Sequence, residues 1–487
     1  MRVCLFGTIF RYYDRSGNPF EGTQLAPSPS NAAPFSVLGL IGNTPLVRVT
    51  KIDTGQCELF LKLESQNPGG SIKDRIALAM IEAAERDGRL QPGATLVEAT
   101  AGNTGLALAL VAVQKGYRLV LVIPDKMSQE KIFHLKALGA EVIMTRSDVE
   151  KGHPDYYQEK AQAIADATPG SCYVNQFENP ANPAAHESGT GPEIWRQMEG
   201  RLDAVVCGVG SGGTLSGIGR FMARNAPHVE MVLADPKGSI LAPLVNEGVT
   251  IKPGSWLVEG IGEDFVPANC DLSLVRRAYT ITDAESIGTA QQLLQKEGVL
   301  CGSSSGTLLA AALKYCREQT APKRVVTFVC DSGNKYLSKI YNPYWLDDQG
   351  LIDRPATHDL RDLIARPFLR GDVVWAAPEA TLQQVYAKMR LYEISQVPVM
   401  DGGQLVGLVD ETDILTTVTG NPAAFNAPVG TLMRHEVETI DVKSPPSELV
   451  PILERARAAC VVDKGQFLGL ITSIDFLNFL RKRAGHA

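Results

Sequence analysis

The stretch AVVCGVGSGGT, residues 204–214, decides the fold of this chain. A short apolar run ends in a glycine-rich turn and leads into a helical pattern that starts at Thr214. Such a run is typical of a strand buried on both faces of a parallel sheet. Further strands are predicted at 58–64, 95–100, 119–124 and 325–331. Helices are predicted over 74–87, from residue 103 onward, and after the strand 119–124 up to residue 137. This alternation predicts an α/β fold of βαβ units with helices on both sheet faces.

The glycine loop Gly208–Thr214 suits a phosphate group. Backbone N–H groups in such a turn converge on an anion, and the N-terminus of the following helix adds a favourable field. The loop lacks the G-x-x-x-x-G-K-[ST] pattern of nucleoside-triphosphate sites. No acidic residue is placed to hold a ribose, so a single phosphate is favoured over a dinucleotide. A merely tight turn is the alternative.

Three further polar segments begin predicted helices. Lys73 in SIKDR (71–75) is either a solvated lysine or a Schiff-base lysine, whose ammonium form is disfavoured by burial and by the helix N-terminus. TAGNTG (100–105) either binds a substrate carboxylate or caps its helix. GSSSGT (302–307) either caps a helix or presents a hydroxyl to a heteroaromatic nitrogen.

Together these four segments resemble the cysteine synthase/cystathionine β-synthase family of pyridoxal-phosphate (PLP) enzymes. The resemblance covers roughly residues 38–345 and includes IGNTPLVRV (41–49), QFENPANP (176–183) and EGIG (259–262). MIEAAERDG (80–88) and KMSQEK (126–131) are similar to the cystathionine β-synthase branch of the family. The resemblance implies a catalytic domain of PLP fold type II, the tryptophan synthase β-like fold, with parallel sheets.

The resemblance also implies roles for individual residues. Lys73 forms the Schiff base with PLP and later removes the Cα proton of the substrate. Asn103 bonds the ring hydroxyl of PLP, and Ser304 faces its pyridine nitrogen. The phosphate is held by Gly210, Ser211, Gly212, Gly213 and Thr214. The substrate carboxylate is held by Thr100, Asn103, Thr104 and Gln176.

The expected activity is that of a PLP-dependent lyase. The resemblance implies β-replacement of the L-serine hydroxyl by L-homocysteine, which gives L-cystathionine and water. O-acetylserine sulfhydrylase activity, which uses sulfide, is the alternative. A ligand-sensing protein with a vestigial catalytic domain is an alternative of another class, against which the intact Lys73, Asn103 and Ser304 argue.

Three departures from the family pattern concern the substrates. Ala101 replaces a serine and removes one hydroxyl contact to the carboxylate. Glu263 and Phe177 stand where animal members of the family carry tyrosine. These changes leave the second substrate open.

The domain organisation predicted from the sequence has five parts: an N-terminal arm 1–34, a catalytic domain 35–346, a linker 347–367, and two related segments, 368–425 and 426–487. The related segments contain SQVPVMDGGQLVGLVDETDIL (395–415) and AACVVDKGQFLGLITSIDFL (458–477). Each pattern predicts a strand, a glycine turn, a second strand and a helix that begins near an aspartate. The pair indicates two copies of one small α/β unit, and it resembles the tandem CBS-domain (Bateman) module.

The tandem module implies a regulatory ligand. By resemblance, Thr472 and Asp475 contact the ribose of an adenosyl ligand in the second repeat. In the first repeat Asp410 replaces the expected hydroxyl, so we expect repulsion of a phosphate there. A neutral or cationic ligand such as S-adenosylmethionine is favoured over ATP. The alternative is that Thr472 and Asp475 only cap the last helix.

Composition limits the remaining partners. The chain has 487 residues, 44% of them hydrophobic, and a net charge of -7, which provides no global field for nucleic acid or anionic membranes. Nine cysteines without a CxxC pair favour reduced thiols in a cytoplasmic protein over a disulfide framework or a zinc site. We find no signal peptide and no apolar run long enough to span a bilayer. We expect a homodimer or homotetramer.

Histidines are scarce in the first part of the chain. The first is His134, so the N-terminal arm offers Cys4 but no histidine to ligate haem. We therefore expect no haem. His134, His153 and His186 have no metal-ligand spacing, and we interpret them as surface or core histidines.

Overall fold

The computed structural model describes residues 36–100, 102–125, 129–149, 152–352 and 357–483. The N-terminal arm predicted at 1–34 lies outside these residues. The chain divides into two compact units, one made of residues 36–281 and 307–332 and the other of 282–306 and 333–483. Within the described ranges, every helix is too short or too polar to cross a membrane.

The first unit alternates strands with helices. Its strands are β1 (Leu46–Arg48), β2 (Glu58–Leu63), β3 (Thr95–Ala99), β4 (Arg118–Pro124), β5 (Glu141–Thr145), β6 (Cys172–Tyr173), β7 (Ala204–Gly208), β8 (Glu230–Pro236), β9 (Val275–Ile281) and β10 (Arg324–Val329). Its helices are α1 (Lys73–Arg86), α2 (Asn103–Lys115), α3 (Gln129–Ala137), α4 (Tyr157–Ala167), α5 (Ala181–Ala185), α6 (Gly191–Gln197), α7 (Gly213–Asn225) and α8 (Leu241–Glu247). A π-helical turn, His186–Thr190, joins α5 to α6.

The strands form two sheets. One has the order β1-β2-β10-β7-β8-β9 and the other the order β5-β4-β3-β6. All pairs are parallel except β1 with β2. The predicted α/β fold with parallel sheets is therefore confirmed. The antiparallel edge strand β1 is only three residues long, too short for its pattern to predict it.

Helices cover both faces of the four-stranded sheet, as predicted. On one face, Met80 of α1 and Leu108 of α2 pack in a core with Leu121 of β4. On the other face, Val97 of β3 packs in a core with Ala161 of α4. Because both faces are covered, every residue of β3 is buried, including its one charged residue, Glu98.

The predicted elements agree with the structure to within a few residues. The predicted strands at 58–64, 95–100, 119–124, 204–210 and 325–331 correspond to β2, β3, β4, β7 and β10. Helix α1 begins at Lys73 rather than at 74, and α7 begins at Gly213 rather than at Thr214. The loops that follow the strands at their carboxyl ends carry the site, as is usual for parallel sheets.

The second unit contains both repeats. Its strands are β11 (Gln396–Asp401), β12 (Gln404–Asp410), β13 (Thr439–Asp441), β14 (Ala458–Asp463) and β15 (Gln466–Thr472). Its helices are α9 (Asp283–Glu297), α11 (Pro343–Asp348), α12 (Leu382–Tyr392), α13 (Glu411–Gly420), α14 (Leu449–Ala456) and α15 (Ser473–Arg483). Helix α10 (Ser303–Arg317) spans the boundary at 306/307.

The two repeats share a hairpin followed by a helix. Gly402 and Gly403, both with positive φ, join the antiparallel strands β11 and β12. Lys464 and Gly465, also with positive φ, join β14 and β15. Two consecutive positive φ angles are those of a type I′ turn, whose twist matches that of the strands. Helices α13 and α15 follow directly, which confirms the predicted repeat.

The second repeat builds its core partly from the stretch predicted as a linker. A 3-10 turn at Leu360–Leu363 lies within 347–367. Leu360, Leu363 and Ile364 are buried together with Ile440 of β13 and Ile471 of β15. This segment precedes the first repeat in the chain and packs with the second.

Candidate active site

Lys73 is the first residue of α1 and is held at the end of β10. The N–H of Ile72 donates to the carbonyl oxygen of Cys330 at 2.8 Å, and Ser71 forms a β-bridge with Asp331. The N–H of Lys73 itself donates to Ser71 Oγ at 3.3 Å. The lysine side chain therefore starts from a backbone that is fixed to the carboxyl edge of the six-stranded sheet.

The surroundings of Lys73 favour its neutral amine. Burial lowers the pKa of the Lys73 ammonium, while Cys330, Asp331 and Glu263 oppose that shift. A lysine whose pKa is lowered presents a larger fraction of nucleophilic amine at neutral pH. Lys73 can therefore attack a carbonyl group.

Two glycines of the glycine loop, Gly210 and Gly213, lie too close to neighbouring atoms to carry a side chain. A Cβ atom at Gly210 would lie 2.6 Å from the carbonyl oxygen of Gly260. A Cβ atom at Gly213 would lie 1.9 Å from Asn182 Oδ1. Gly212 has φ of 84° and directly precedes α7, a conformation that favours glycine. The loop thus brings backbone N–H groups to a helix N-terminus at which an anion can bind.

Asn182 supports the glycine loop through a hydrogen bond to Ser211. The sequence alone did not identify this residue. Its Nδ2 donates to Ser211 Oγ and to the carbonyl oxygen of Gln176, both at 2.8 Å. Asn269 Nδ2 donates to the same carbonyl at 2.9 Å. Asn182 is fully buried. The segment QFENPANP, which was singled out as a family motif, contains this residue, and its position there was the available signal.

Thr214 shares a hydrogen bond with a buried histidine. Thr214 Oγ1 lies 3.2 Å from His186 Nε2, and His186 Nδ1 lies 2.9 Å from Thr190 Oγ1. Burial, together with the charges of Arg75 and Lys73, lowers the pKa of His186 well below its usual value. His186 is therefore neutral and is a hydrogen-bonded core histidine, as expected, but it contacts the glycine loop.

Asn103 is the first residue of α2 and meets the end of β10. Its Nδ2 donates to Asp331 Oδ2 at 2.8 Å, and Asp331 is fully buried. Asn103 and Lys73, predicted as cofactor residues, therefore both have Asp331 as a neighbour. Sequence reasoning did not single out Asp331, because the motif VVTFVCD was interpreted only as a strand.

The residues predicted for the substrate carboxylate lie together at the end of β3. Thr104 Oγ1 donates to Gln176 Oε1 at 2.7 Å. Thr100 Oγ1 accepts from the N–H of Gly102 at 3.2 Å. Behind them, Glu98 accepts a hydrogen bond from the N–H of Gln176, and burial raises the pKa of Glu98 to about 7. These hydroxyl and amide groups can bind a carboxylate.

Ser304 lies in the first turn of α10 and is buried. Its neighbours Ser303 and Ser305 are buried as well. The assignment of Ser304 to the pyridine nitrogen stays a prediction.

The regulatory residues predicted in the second repeat contact each other. The N–H and the Oγ1 of Thr472 both donate to Asp475 Oδ2, at 2.7 and 2.6 Å. In the first repeat, Arg434 pairs with Asp410 and Asp413. Arg434 compensates the extra negative charge of Asp410, from which the sequence predicts repulsion.

The described residues show neither a metal site nor a disulfide. In that part of the chain, no group of three or more His, Cys, Asp or Glu side chains is placed to hold a metal ion. The cysteines of these ranges are free thiols. His153 is exposed, and its Nδ1 accepts from the N–H of Asp155 at 3.0 Å.

The site of the first unit fits a phosphorylated aldehyde such as PLP. A lysine with lowered pKa supplies the amine for the aldehyde, and the glycine loop supplies the N–H groups for the phosphate. The close contacts at Gly210 and Gly213 restrict the loop to glycine, as an anion cradle requires.

Comparison with known proteins agrees with this chemistry. The family model "Pyridoxal-phosphate dependent enzyme" matches residues 37–331. The model "CBS domain" matches residues 361–420 and 429–482.

Individual relatives extend the match. A cystathionine beta-synthase from Mus musculus is 34% identical over 503 residues, which cover 96% of this chain and 89% of that protein. Cysteine synthase A from Escherichia coli is 43% identical over 301 residues, which cover 61% of this chain and 92% of that protein. The crystal structure of a hydrogen sulfide-producing enzyme from Fusobacterium nucleatum superimposes with a TM-score of 0.59 at 37% identity, over 63% of this chain and all of that one. The chain therefore belongs to the pyridoxal-phosphate-dependent enzyme family, in the cysteine synthase/cystathionine β-synthase group of fold type II, and carries two C-terminal CBS domains.

Proposed function

We propose that this enzyme is a cystathionine β-synthase, which replaces the hydroxyl of L-serine with the thiol of L-homocysteine and releases L-cystathionine and water. The observation that carries the proposal is the similarity to the mouse enzyme along 96% of the chain, through the CBS domains. Lys73, Asn103 and the glycine loop lie in one compact unit, which argues against a vestigial catalytic domain.

The cofactor residues have separate tasks in this proposal. PLP, when bound, supplies an electron sink next to the α-carbon of the substrate. Lys73 Nζ holds the cofactor and then takes the Cα proton. Gly210, Ser211, Gly212, Gly213 and Thr214 hold the phosphate, and the neutral His186 orients the Thr214 hydroxyl. Asn103 donates to the ring hydroxyl, and Ser304 gives the pyridine nitrogen a neutral partner.

The substrate carboxylate binds at the start of α2 in this proposal. Thr100, Asn103, Thr104 and Gln176 supply hydroxyl and amide groups, and the helix N-terminus adds backbone N–H groups. The 2.7 Å contact of Thr104 with Gln176 supports a shared role. Ala101 lies outside the described residues; because it has no hydroxyl, it offers the carboxylate one contact fewer than the serine of the family pattern.

Cysteine synthase activity is the second candidate. It is favoured by the 43% identity with the Escherichia coli enzyme, which is higher than the 34% identity with the mouse enzyme but covers only 61% of this chain. The test is product identification. Purified protein loaded with PLP is incubated with serine or O-acetylserine, each with homocysteine or sulfide. Cystathionine from serine and homocysteine supports the first proposal, and cysteine formed only from O-acetylserine and sulfide overturns it.

The proposal also covers the ligand of the CBS module, the oligomeric state and the cellular location. The second repeat binds an adenosyl ligand, S-adenosylmethionine by preference, through Thr472 and Asp475. The enzyme is a cytoplasmic homodimer or homotetramer. It binds no haem, so protein made with ample haem should show no Soret band, and a stoichiometric band would contradict this proposal.

A further inference from the structure

The loop Glu259–Glu263 packs against the glycine loop. The N–H of Gly262 donates to the carbonyl oxygen of Val209 at 2.8 Å. A Cβ atom at Gly210 would meet the carbonyl oxygen of Gly260 at 2.6 Å. Glu263, the next residue of this loop, is therefore anchored at the edge of the proposed phosphate site.

Ser239 fixes the backbone of Glu263 on both sides. The N–H of Glu263 donates to Ser239 Oγ at 3.1 Å, and Ser239 Oγ donates to the carbonyl oxygen of Glu263 at 3.1 Å. The N–H of Ile240 donates to the same carbonyl, also at 3.1 Å. This backbone has little freedom, so the loop fixes the point from which the Glu263 side chain extends.

The Glu263 carboxyl shares the electrostatic surroundings of Lys73, and each influences the ionisation of the other. The other ionisable groups that interact with Glu263 come from several elements: Asp264 from the same loop, Asp235 from β8, Tyr156 and Tyr157 from the start of α4, and Cys270. Lys73 is the cation that opposes the rise of the Glu263 pKa. The geometry places the loop that carries Glu263 beside the glycine loop, in the same unit as Lys73.

We propose that the Glu263 carboxyl is the acid that protonates the departing β-hydroxyl of serine and then the base that accepts the proton of the incoming thiol. This inference rests on the proposed β-replacement and deepens it, because it assigns the enzyme to donors with a poor leaving group. The hydroxyl is such a group, whereas the acetate of O-acetylserine departs without a proton.

The proton transfers balance over one turnover. The Cβ–O bond of serine breaks with its electron pair on oxygen, and the proton of Glu263 joins that oxygen to release water. The thiol sulfur then forms the Cβ–S bond while its proton passes to the Glu263 carboxylate. The Cα proton that Lys73 removed returns to the product. Glu263 and Lys73 end in the states in which they began.

The ionisation of Glu263 supports this role. Burial and the neighbouring charges of Asp264 and Asp235 raise the pKa of Glu263 to about 8, against the opposing effect of Lys73. The carboxyl is therefore largely protonated at neutral pH and can donate a proton. A catalytic acid is most effective when its pKa lies near the working pH.

The test compares two donors in Glu263→Gln, which keeps the shape of the side chain and removes its proton. The rate that tests the acid is that of leaving-group departure, measured in a single turnover without thiol. We expect this rate to fall by about 100-fold or more with serine, a normal contribution for a general acid, and to change by less than about threefold with O-acetylserine. Glu247→Gln, which alters an exposed carboxyl at the end of α8, is the matched control and should keep the wild-type ratio of the two rates.

A second measurement needs no variant. Proton transfer to the leaving oxygen predicts a solvent deuterium isotope effect on the wild-type rate with serine that is larger than that with O-acetylserine. A third does not depend on turnover. Difference infrared spectra of the full-length protein without substrate should show a protonated carboxyl at neutral pH that titrates near pH 8 and is missing in Glu263→Gln.

The outcomes separate this inference from the proposed function. Equal losses with both donors, or a wild-type-like ratio in Glu263→Gln, would overturn the role of Glu263 while the reaction itself stands. Equal isotope effects for the two donors, or an infrared titration far below pH 8, would overturn it as well. Wild-type protein that makes no cystathionine from either donor overturns the proposed function instead.

Discussion

The side-chain amide of Asn103 donates a 2.8 Å hydrogen bond to the carboxylate of Asp331. Asn103 follows β3 of the four-stranded sheet, and Asp331 follows β10 of the six-stranded sheet. One hydrogen bond therefore links the carboxyl edges of the two sheets of the first unit. The same carboxylate opposes the lowering of the Lys73 pKa.

Removing the hydrogen bond between Asn103 and Asp331 should lower both the stability of the protein and the pKa of Lys73. In Asp331→Ala, the Asn103 amide loses this acceptor, and we expect a loss of about 1–3 kcal/mol in the free energy of unfolding. The pKa of Lys73 should fall further, because a negative neighbour is gone. Urea denaturation and the pH dependence of PLP capture measure the two effects. Asp331→Asn, which keeps the shape, should lose less stability, and equal stability of all three proteins would show that the bond is unimportant.

The glycine loop should reject even a methyl group. In Gly213→Ala the new Cβ would overlap Asn182 Oδ1, at 1.9 Å in the present geometry. We expect PLP to bind at least about tenfold more weakly, equivalent to a loss of about 1.4 kcal/mol, as measured by fluorescence titration. Gly288→Ala is the matched control, because a Cβ there meets no atom within 4 Å.

A double variant tests the cause of the Gly213 effect. Asn182→Ala removes the atoms that the new methyl group would meet. Affinity in Gly213→Ala with Asn182→Ala should exceed that of Gly213→Ala alone. If the second change only adds a further loss, steric contact with Asn182 is not the reason.

Lys73 should be the point of covalent attachment. PLP-loaded wild-type protein should be yellow, and borohydride should leave a pyridoxyl group on the peptide that contains Lys73. Lys73→Ala should still bind PLP reversibly through the glycine loop and lose turnover by about 1,000-fold or more. Lys51→Ala, at an exposed position, serves as control. Pyridoxyl found on a different lysine would contradict the assignment.

Stability should respond to pH through Glu263. Its pKa of about 8 in the folded state lies above its usual value of 4.5, so the folded protein keeps a proton that the unfolded chain releases. The stabilising contribution is complete below pH 4.5 and is lost as pH rises through 8. Relative to wild type, Glu263→Gln should gain stability between pH 5 and pH 8 and then level off. Urea denaturation at several pH values measures this, and a pH-independent difference would contradict it.

The second CBS repeat should bind an adenosyl ligand through Asp475. Calorimetry with S-adenosylmethionine should show heat for wild type and none for Asp475→Ala. Asp475→Asn can still accept from the N–H of Thr472 and should keep more of the helix cap, yet bind the ligand more weakly. If wild type shows no heat and no change in activity at millimolar ligand, Thr472 and Asp475 serve the helix cap alone.

The sequence predicted the backbone features of the candidate site. Gly210 and Gly213 are needed where side chains do not fit, and Lys73 and Asn103 begin helices after strands, so local pattern was sufficient. Asp331, Asn182 and His186 could not be assigned in this way. Their roles arise from contacts with residues that are distant in the chain, such as Asn103, Ser211 and Thr214.

Arg434 illustrates the same limit in the CBS module. The charge at Asp410 was visible in the sequence, but its compensation by Arg434 depends on the contact between the end of β12 and the segment after α13. Likewise, the antiparallel strand β1 has only three residues, and its pairing with β2 is tertiary. Patterns of apolar residues cannot specify such pairs.

Leu360, Leu363 and Ile364 lie before the first repeat and are buried in the core of the second. During synthesis on the ribosome, these side chains emerge well before Ile440 and Ile471, which cover them. The nascent chain must therefore keep an apolar segment exposed until the last strand has been made. A truncation that stops after the first repeat would leave this segment uncovered permanently, and a fragment that starts after it would lack part of its own interior. Any attempt to express the regulatory half alone should begin upstream of residue 360 and continue beyond β15.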